Sequence, residues 1–327
     1  MCWNVRGVNS DKKWNAIRDR ISESFCDIIC LQETKRENFD LMFIRNFCHP
    51  SFDKFVFHPS LGASGGTIII WKSVVFQGQL VFQNDYALSV EFTSLHNNAV
   101  WVLTNIYAPC THEGKREFLD WFKNIQMPDH VDWLILGDFN LCRSPADRNQ
   151  PGGNHLDMYL FNEAINSLGL VDLPLKGRRF TWSNMQRFPL LERLDWFFTS
   201  ISWTISYPNS YVTPLSMETS DHVPCVISIS TKIPRKSIFR FENYWMHHES
   251  FLPVVQQNWV APVHLTDPAL ILSAKFKNVR RALKIWKLSL PNLKQTIANI
   301  KMVLSFVTLI EEFRDLSLCE WNFKNIL

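Results

Sequence analysis

The sequence predicts an α/β fold over residues 1–231 followed by a helical extension over residues 232–327. Three observations carry this reading. Short apolar runs recur along the first 231 residues, amphipathic helix-length segments lie between them, and after Thr231 the apolar residues fall at intervals of three and four instead.

Taken in order, a helix is expected at 11–25, then a strand at Asp27–Gln32. Gly66–Trp71, Val74–Phe82, Leu88–Phe92, Val100–Tyr107 and Trp133–Phe139 follow as further strands, nearly unbroken in their apolar character, as strands buried on both faces are. Helices are expected at 112–126 and 155–168, and late strands at Leu194–Thr199 and Val223–Ser230, separated by turn-rich stretches around Gly177, Pro189 and Pro208. Beyond Thr231 comes a Pro/Lys/Arg linker and an aromatic patch of Phe239, Phe241, Tyr244 and Trp245. Leu272, Phe276, Val279, Leu283, Trp286 and Leu290 then make a helical stripe. Pro291 interrupts it, and Leu293, Ile297, Ile300, Leu304 and Val307 resume the spacing, so a helical hairpin or short coiled coil is expected.

Composition narrows the function classes. With 327 residues, 46% hydrophobic and 20% charged, and only 11 Gly and 16 Pro, the chain has enough apolar surface for a sizeable core and is not of a disordered or collagen-like kind. Its longest near-continuous apolar run, Met302–Ile310, is about half of what a membrane span needs. The amino terminus carries no apolar leader, so a soluble intracellular protein is expected. The eight cysteines are scattered without C-x-x-C or zinc-finger spacing and are expected to be reduced. Charge is uneven: residues 1–231 hold 20 Lys+Arg and 24 Asp+Glu, a net of −4, whereas 232–327 hold 14 and 7, a net of +7. A basic extension points to an anionic partner. Lys275, Arg280, Arg281 and Lys284 on the first helix of the stripe are the candidate phosphate contacts, with Arg178, Arg179 and Trp182 in the body.

The chemistry-bearing residues sit at strand ends. Glu33 ends the first apolar run, Tyr107 ends VLTNIY, Asp138 and Asn140 end LILGDFN, Asp195 lies in RLDWFF, and Asp221–His222 directly precede a strand. Groups outside strand ends of an α/β sheet converge on one crevice. Carboxylates such as Glu33 and Asp221 suit Mg²⁺, which takes oxygen ligands. Asp138 is placed to orient or deprotonate a water and Asn140 to hydrogen-bond a phosphate oxygen. His222 is a donor to phosphate, with Asp195 setting its tautomer. Together they describe metal-assisted phosphodiester hydrolysis.

The motifs W-N-x-R-G (3–7), L-Q-E-T-K (31–35), N-x-Y-A-P (105–109), G-D-F-N (137–140), R-L-D-x-F (193–197) and S-D-H-x-P (220–224) resemble, in this order, the endonuclease/exonuclease/phosphatase superfamily. CWNVRGVNSDKKW, GRRFTWSN and RFENYW are similar to the endonuclease region of plant LINE-type retrotransposon polyproteins. The resemblance covers residues 1–231, and the tail is similar to the linker before a reverse transcriptase, a domain this sequence does not contain. It implies a four-layer α/β sandwich, two packed sheets flanked by helices. It also implies nicking of double-stranded DNA, dependent on Mg²⁺ or alternatively Mn²⁺, to leave a 3′-hydroxyl. Glu33, Asn4 and Asp221 match metal-shell positions. Asp138 matches the water-activating acid, Asn140 and Tyr107 match groups that position phosphate and water, and His222 with Asp195 matches the pair at the scissile phosphate. A nuclear location, otherwise a cytoplasmic one, is implied by the substrate, with the parent element's reverse transcriptase or RNA as further partners.

Three positions differ from that pattern. Arg6 stands where many relatives carry Asp, Cys110 follows Pro109 where many carry Asn, and only Met1–Cys2–Trp3 precede Asn4, so the first strand is expected to be clipped. An abasic-site repair nuclease or an inositol or lipid phosphatase of the same fold is the neighbouring reading, and a non-catalytic nucleic-acid-binding remnant of a truncated element the more distant one.

Overall fold

A computed structural model describes residues 1–62, 64–126, 131–217, 219–229, 241–290 and 293–327, the side chains of 293–295 excepted. Its contacts divide the chain into two compact units, Met1–Thr231 with Met302–Leu327, and Lys232–Lys301. The extension expected as one piece over 232–327 is therefore divided, its last 26 residues belonging with the first unit.

In the first unit the strands are β1 (Cys2–Asn4), β2 (Ile28–Gln32), β3 (Lys54–Leu61), β4 (Ser64–Trp71), β5 (Phe76–Gln83), β6 (Ala87–Ser94), β7 (Val100–Tyr107), β8 (Asp132–Asp138), β9 (Val171–Asp172), β10 (Trp182–Ser183), β11 (Leu191–Glu192), β12 (Asp195–Thr199), β13 (Tyr211–Pro214) and β14 (Cys225–Ser228). Helices α1 (Asp11–Ser24), α2 (Leu41–Ile44), α3 (His112–Lys123), α4 (His155–Ser167) and α5 (Ile201–Ser206) lie between them. Sequence chemistry sets the helix starts. The side chains of Ser10, Thr111 and Asn154 accept backbone N–H groups in the first turns of α1, α3 and α4.

Two six-stranded mixed sheets result, one ordered β13-β14-β1-β2-β4-β3 and the other β5-β6-β7-β8-β12-β9. In the described strands β1 pairs parallel with β2, and β7 with β8. Alternation assigns the layers. Inward residues such as Cys2, Cys30, Leu103, Leu134, Leu136 and Phe197 form the core between the sheets. Outward residues of the second sheet, Trp133, Ile135, Trp196 and Phe198, pack with Phe118, Phe122 and Phe161 of α3 and α4. Trp3, Leu31, Ile68 and Ile70 of the first sheet pack with Ile17 and Ile21 of α1 and Ile44 of α2. This is the expected four-layer sandwich.

The first strand is three residues long and lies between two neighbours, with Cys2 opposite Cys30 of β2 and Cys225 of β14. Cys30 N–H donates to the Met1 carbonyl at 2.8 Å and the Met1 amine donates to Ile28 O at 2.8 Å. All eight cysteines are free. The apolar filling between the sheets is interrupted by one amide pair: Gln32 Nε2 donates to Asn105 Oδ1, and Asn105 Nδ2 donates to Leu31 O at 3.2 Å. Strand β3 and helix α2 were not read from the sequence, because the apolar part of β3 is only Phe55–Phe57 before His58, Pro59 and Ser60, and α2 is a single four-residue turn.

The second unit holds α6 (Phe251–Trp259), α7 (Pro268–Trp286) and the start of α8 (Leu293–Ile310), whose end lies in the first unit together with α9 (Leu318–Ile326). Among the described residues, the neighbour on which the α7 stripe packs is α6. Leu283 and Trp286 of α7 pack with Trp245 and with Phe251, Val254 and Val255 of α6, while Leu272 and Phe276 are exposed. Residues 232–240, including Phe239, and Pro291 lie outside the described residues. No helix among the described residues is long and apolar enough to cross a membrane.

Candidate active site

The alternation that fills the interior also builds the site. Along the inner face, Cys2 is followed two residues on by Asn4, Cys30 by Gln32, Leu103 by Asn105 and Tyr107, and Leu136 by Asp138; Asp195 stands two before Phe197. One end of the interface between sheets thus turns polar and opens into a cleft of about 540 Å³. Asn4, Glu33, Tyr107, Asp138, Asn140 and His222 all line it. In β8, Gly137 at φ +139° lets the strand lie against β7, since a Cβ there would meet Ile106 O at 2.0 Å.

Asp138 and Asp195 are cross-strand neighbours with like charge. Directly opposed carboxylates repel, and His222 resolves this. Its Nδ1 lies 2.9 Å from Asp195 Oδ2 and its Nε2 lies 3.6 Å from Asp138 Oδ2. The ring is 3% exposed and its backbone carbonyl accepts from Trp3 Nε1 at 2.9 Å. Burial alone would pull the imidazole pKa down, but the Asp195 and Asp138 charges outweigh it and hold it at about 9. Burial pushes Asp138 up to about 6, against the pull of the His222 charge. These ligand-type atoms lie within 4.8 Å of one another. While the imidazole carries both protons it offers no lone pair and the trio shares a proton; with the ring neutral, the same three groups could hold an ion.

Asn4 Nδ2 donates to Asp138 Oδ2 at 2.8 Å, joining the first sheet to the second. Asn140 is at φ +51°; its backbone N–H donates to Asp138 Oδ1 at 3.0 Å and its amide to Ala108 O at 2.8 Å, so the side chain braces the motif. Burial first, then the Glu33 and Asp138 charges, raises the Tyr107 hydroxyl far above its usual range and keeps it a donor.

Glu33 and Asp221 occupy the wetter side. Lys35 Nζ lies 3.0 Å and Arg6 Nε 3.8 Å from Glu33 Oε1, and Arg6 Nη1 lies 2.6 Å from Asp221 Oδ2. Trp182 Nε1 donates to the same Asp221 oxygen at 3.0 Å. The expected metal-shell acids are thus bridged by one guanidinium. Two carboxylates and the Asn4 amide make an all-oxygen donor set, and two cations already supply the positive charge it attracts, so the residues fit a hard divalent ion. Arg6, Glu33, Lys35 and Asn140, all lining the cleft, hold left-handed backbone conformations, which L-residues adopt at a cost of about 1–3 kcal/mol and which concentrate at functional sites.

Residues 1–222 match the model of the Endonuclease/Exonuclease/phosphatase family. The chain belongs to that family. Among solved structures, the endonuclease domain of TRAS1, a telomere-specific non-LTR retrotransposon, is similar with a TM-score of 0.52 at 14% identity, over 71% of this chain and 97% of that one. The AP endonuclease LMAP from Leishmania major is similar with a TM-score of 0.51 at 20% identity, over 68% and 85%. Identities this low speak for the fold alone. No curated protein matches the sequence.

The family cleft gathers the residues expected at strand ends, but the expected nucleic-acid contacts in the body are differently placed. Arg178 is not a free surface cation. Its side chain is 10% exposed and its Nε lies 3.3 Å from Glu312 Oε1, a carboxylate far away in sequence. Arg179 is exposed and its guanidinium donates to Ala146 O at 3.2 Å. Trp182 is half-buried and its indole N–H donates to Asp221 Oδ2. Arg280, Arg281 and Lys284 are exposed on α7, and Lys275 donates to Trp259 O at 2.8 Å. Sequence reasoning missed Lys35 and Arg6 as site residues. Both stand inside the quoted motifs, and their left-handed backbone was the signal that only coordinates supply.

Proposed function

We propose that this family member is a metal-dependent endonuclease that nicks double-stranded DNA to leave a 3′-hydroxyl, derived from a plant LINE-type retroelement and acting in the nucleus. The observation that carries the reading is the dry Asp138–His222–Asp195 trio at one cleft with the oxygen donors Glu33, Asp221 and Asn4, the last hydrogen-bonded to Asp138. Those three would hold the ion, Mg²⁺ or Mn²⁺, which when bound neutralises phosphoryl charge and stabilises the leaving oxygen. His222, kept protonated by its carboxylates, donates from Nε2 to a phosphate oxygen, and Asp195 fixes the ring. Asp138, with its proton affinity raised toward neutrality, orients the attacking water and accepts its proton. Asn4 and Asn140 hold that carboxylate in place, and the Tyr107 hydroxyl donates to the phosphate. Arg179 and the α7 cations Lys275, Arg280, Arg281 and Lys284 contact backbone phosphates. DNA as the substrate, and an element's reverse transcriptase or RNA as partners, follow from the resemblance of the sequence motifs to retrotransposon endonucleases.

The test is supercoiled plasmid incubated with the full chain and Mg²⁺, Mn²⁺ or chelator, followed by polymerase extension from the nick. Metal-dependent nicking with extendable ends, abolished in Glu33→Ala, is expected. Cleavage confined to abasic duplex, or hydrolysis of inositol phosphates with no nicking, overturns the reading.

A further inference from the structure

The buried acids outside the cleft include two consecutive glutamates just beyond α8, Glu311 and Glu312, in a segment that packs with the first unit. Glu311 pairs with Lys324 of α9. Glu312, its side chain fully buried, faces the other way. It accepts the Arg179 backbone N–H at 2.9 Å and pairs with Arg178 Nε. A buried carboxylate that takes both a guanidinium and a backbone N–H makes a strong, directional anchor.

The stretch it grips leads straight to the catalytic side chains. Two residues after Arg179, the Thr181 hydroxyl accepts the Asp195 N–H at 3.0 Å and the Leu194 N–H at 3.1 Å. The Thr181 carbonyl accepts the Val223 N–H at 2.8 Å, next to His222. Trp182 forms a bridge with His222, its indole holds the Asp221 carboxylate, and Ser183 N–H donates to Asp221 O at 3.0 Å. Residues 181–183 thus touch the backbone or side chain of Asp195, His222 and Asp221. Glu312 is the fixed point at the head of that stretch.

We propose that Glu312 is a positioning residue for the Asp195–His222–Asp221 side of the cleft, acting through Arg178, Arg179 and Thr181. The proposal deepens the nuclease reading and rests on it. It makes the C-terminal segment part of the catalytic unit, and a shift of even 1 Å at a reacting group can cost about a hundredfold in rate.

The experiment measures plasmid nicking, thermal melting and amide hydrogen exchange on the full chain and four variants. In Glu312→Ala and Glu312→Gln, kcat is expected to fall about tenfold to a hundredfold with KM changed less than about twofold. Exchange should accelerate at Asp195 and Val223 and not in the β5–β6 pair. Because a lone buried guanidinium can unfold the chain, Glu312→Leu combined with Arg178→Leu supplies an apolar pair that keeps the fold. It still leaves the Arg179 N–H without its acceptor, so kcat should stay low despite a wild-type melting temperature. Glu311→Leu combined with Lys324→Leu, which removes the neighbouring pair without stranding a buried charge, should leave kcat unchanged. Recovery of kcat in the double variant of Glu312 and Arg178, or unaltered exchange in Glu312→Ala, overturns the proposal. If the unsubstituted chain nicks no DNA the nuclease reading fails, while the exchange at Asp195 and Val223 still decides the role of Glu312.

Discussion

On one side of the cleft Asp138 and Asp195 are 1% and 2% exposed and share the charge of His222. On the other, Glu33 and Asp221 keep contact with water and are neutralised by Lys35 and by Arg6, whose side chain is 46% exposed. All four are carboxylates at or near strand ends, yet the surroundings divide their work. Burial makes the first pair costly to ionise together, so a proton is retained among three groups. The second pair is instead matched by Lys35 and Arg6, partly exposed cations that a divalent ion can displace.

The largest effect separating the two sides should come from His222→Ala. Loss of a positioned donor at the phosphate is expected to lower nicking about 10²–10³-fold or more, with metal binding unchanged. Equal loss of Mn²⁺ binding, read by electron paramagnetic resonance, would merge the two sides into one.

A second difference is in pH dependence. The His222 pKa is raised from 6.5 to about 9 in the fold, so its contribution to stability is fully present below pH 6.5 and is lost as pH rises through about 9. The loss is on the order of 3 kcal/mol at most. Urea unfolding at pH 6.5 and 9.5 measures it, and Asp195→Asn, which removes the ring's leading partner, should flatten the slope.

The cations divide in the same way. Arg178 is buried and paired, whereas Arg280, Arg281 and Lys284 are exposed. Replacing these three with Ala should reduce the slope of log affinity for DNA against log salt by about 2–3. An unchanged slope would assign the α7 face to solvent. Point variants suit this test better than removal of 232–327, because that deletion also takes Glu312 out of the catalytic unit.

The smallest effect belongs to the wet side. Arg6→Ala removes a competitor for Glu33 and Asp221, so Mn²⁺ should bind about twofold to fivefold tighter, as an exposed ion pair allows. Weaker binding would mean that Arg6 supports the ion rather than competes with it.

The sandwich and most of the cleft were legible because each signal was local. An apolar run ending in Asp138 or Glu33 announces a strand and what stands at its tip. Asn4, Tyr107, Asn140 and His222 reached the same cleft for that reason. Arg178 was misread because its partner lies 134 residues away, and no spacing rule links them. The α7 stripe was read correctly as a helix, but its packing on α6 was not foreseen, since periodicity marks an apolar face without saying what covers it. Trp182 was an aromatic beside two arginines in sequence, and only the fold turns its N–H toward Asp221.

The Gln32–Asn105 amide pair between the sheets has a mechanical meaning. Contact between two apolar sheet faces resists separation strongly but sliding weakly, because dispersion and water exclusion have no preferred direction. Glu33 and Asn4 ride on one sheet, Asp138 and Asp195 on the other, so any slip would shear the cleft apart along its middle. A hydrogen bond across the oily layer has both a length and an angle. One rung below the cleft, where leverage on the reacting groups is greatest, it acts as a dowel that sets the two halves in register.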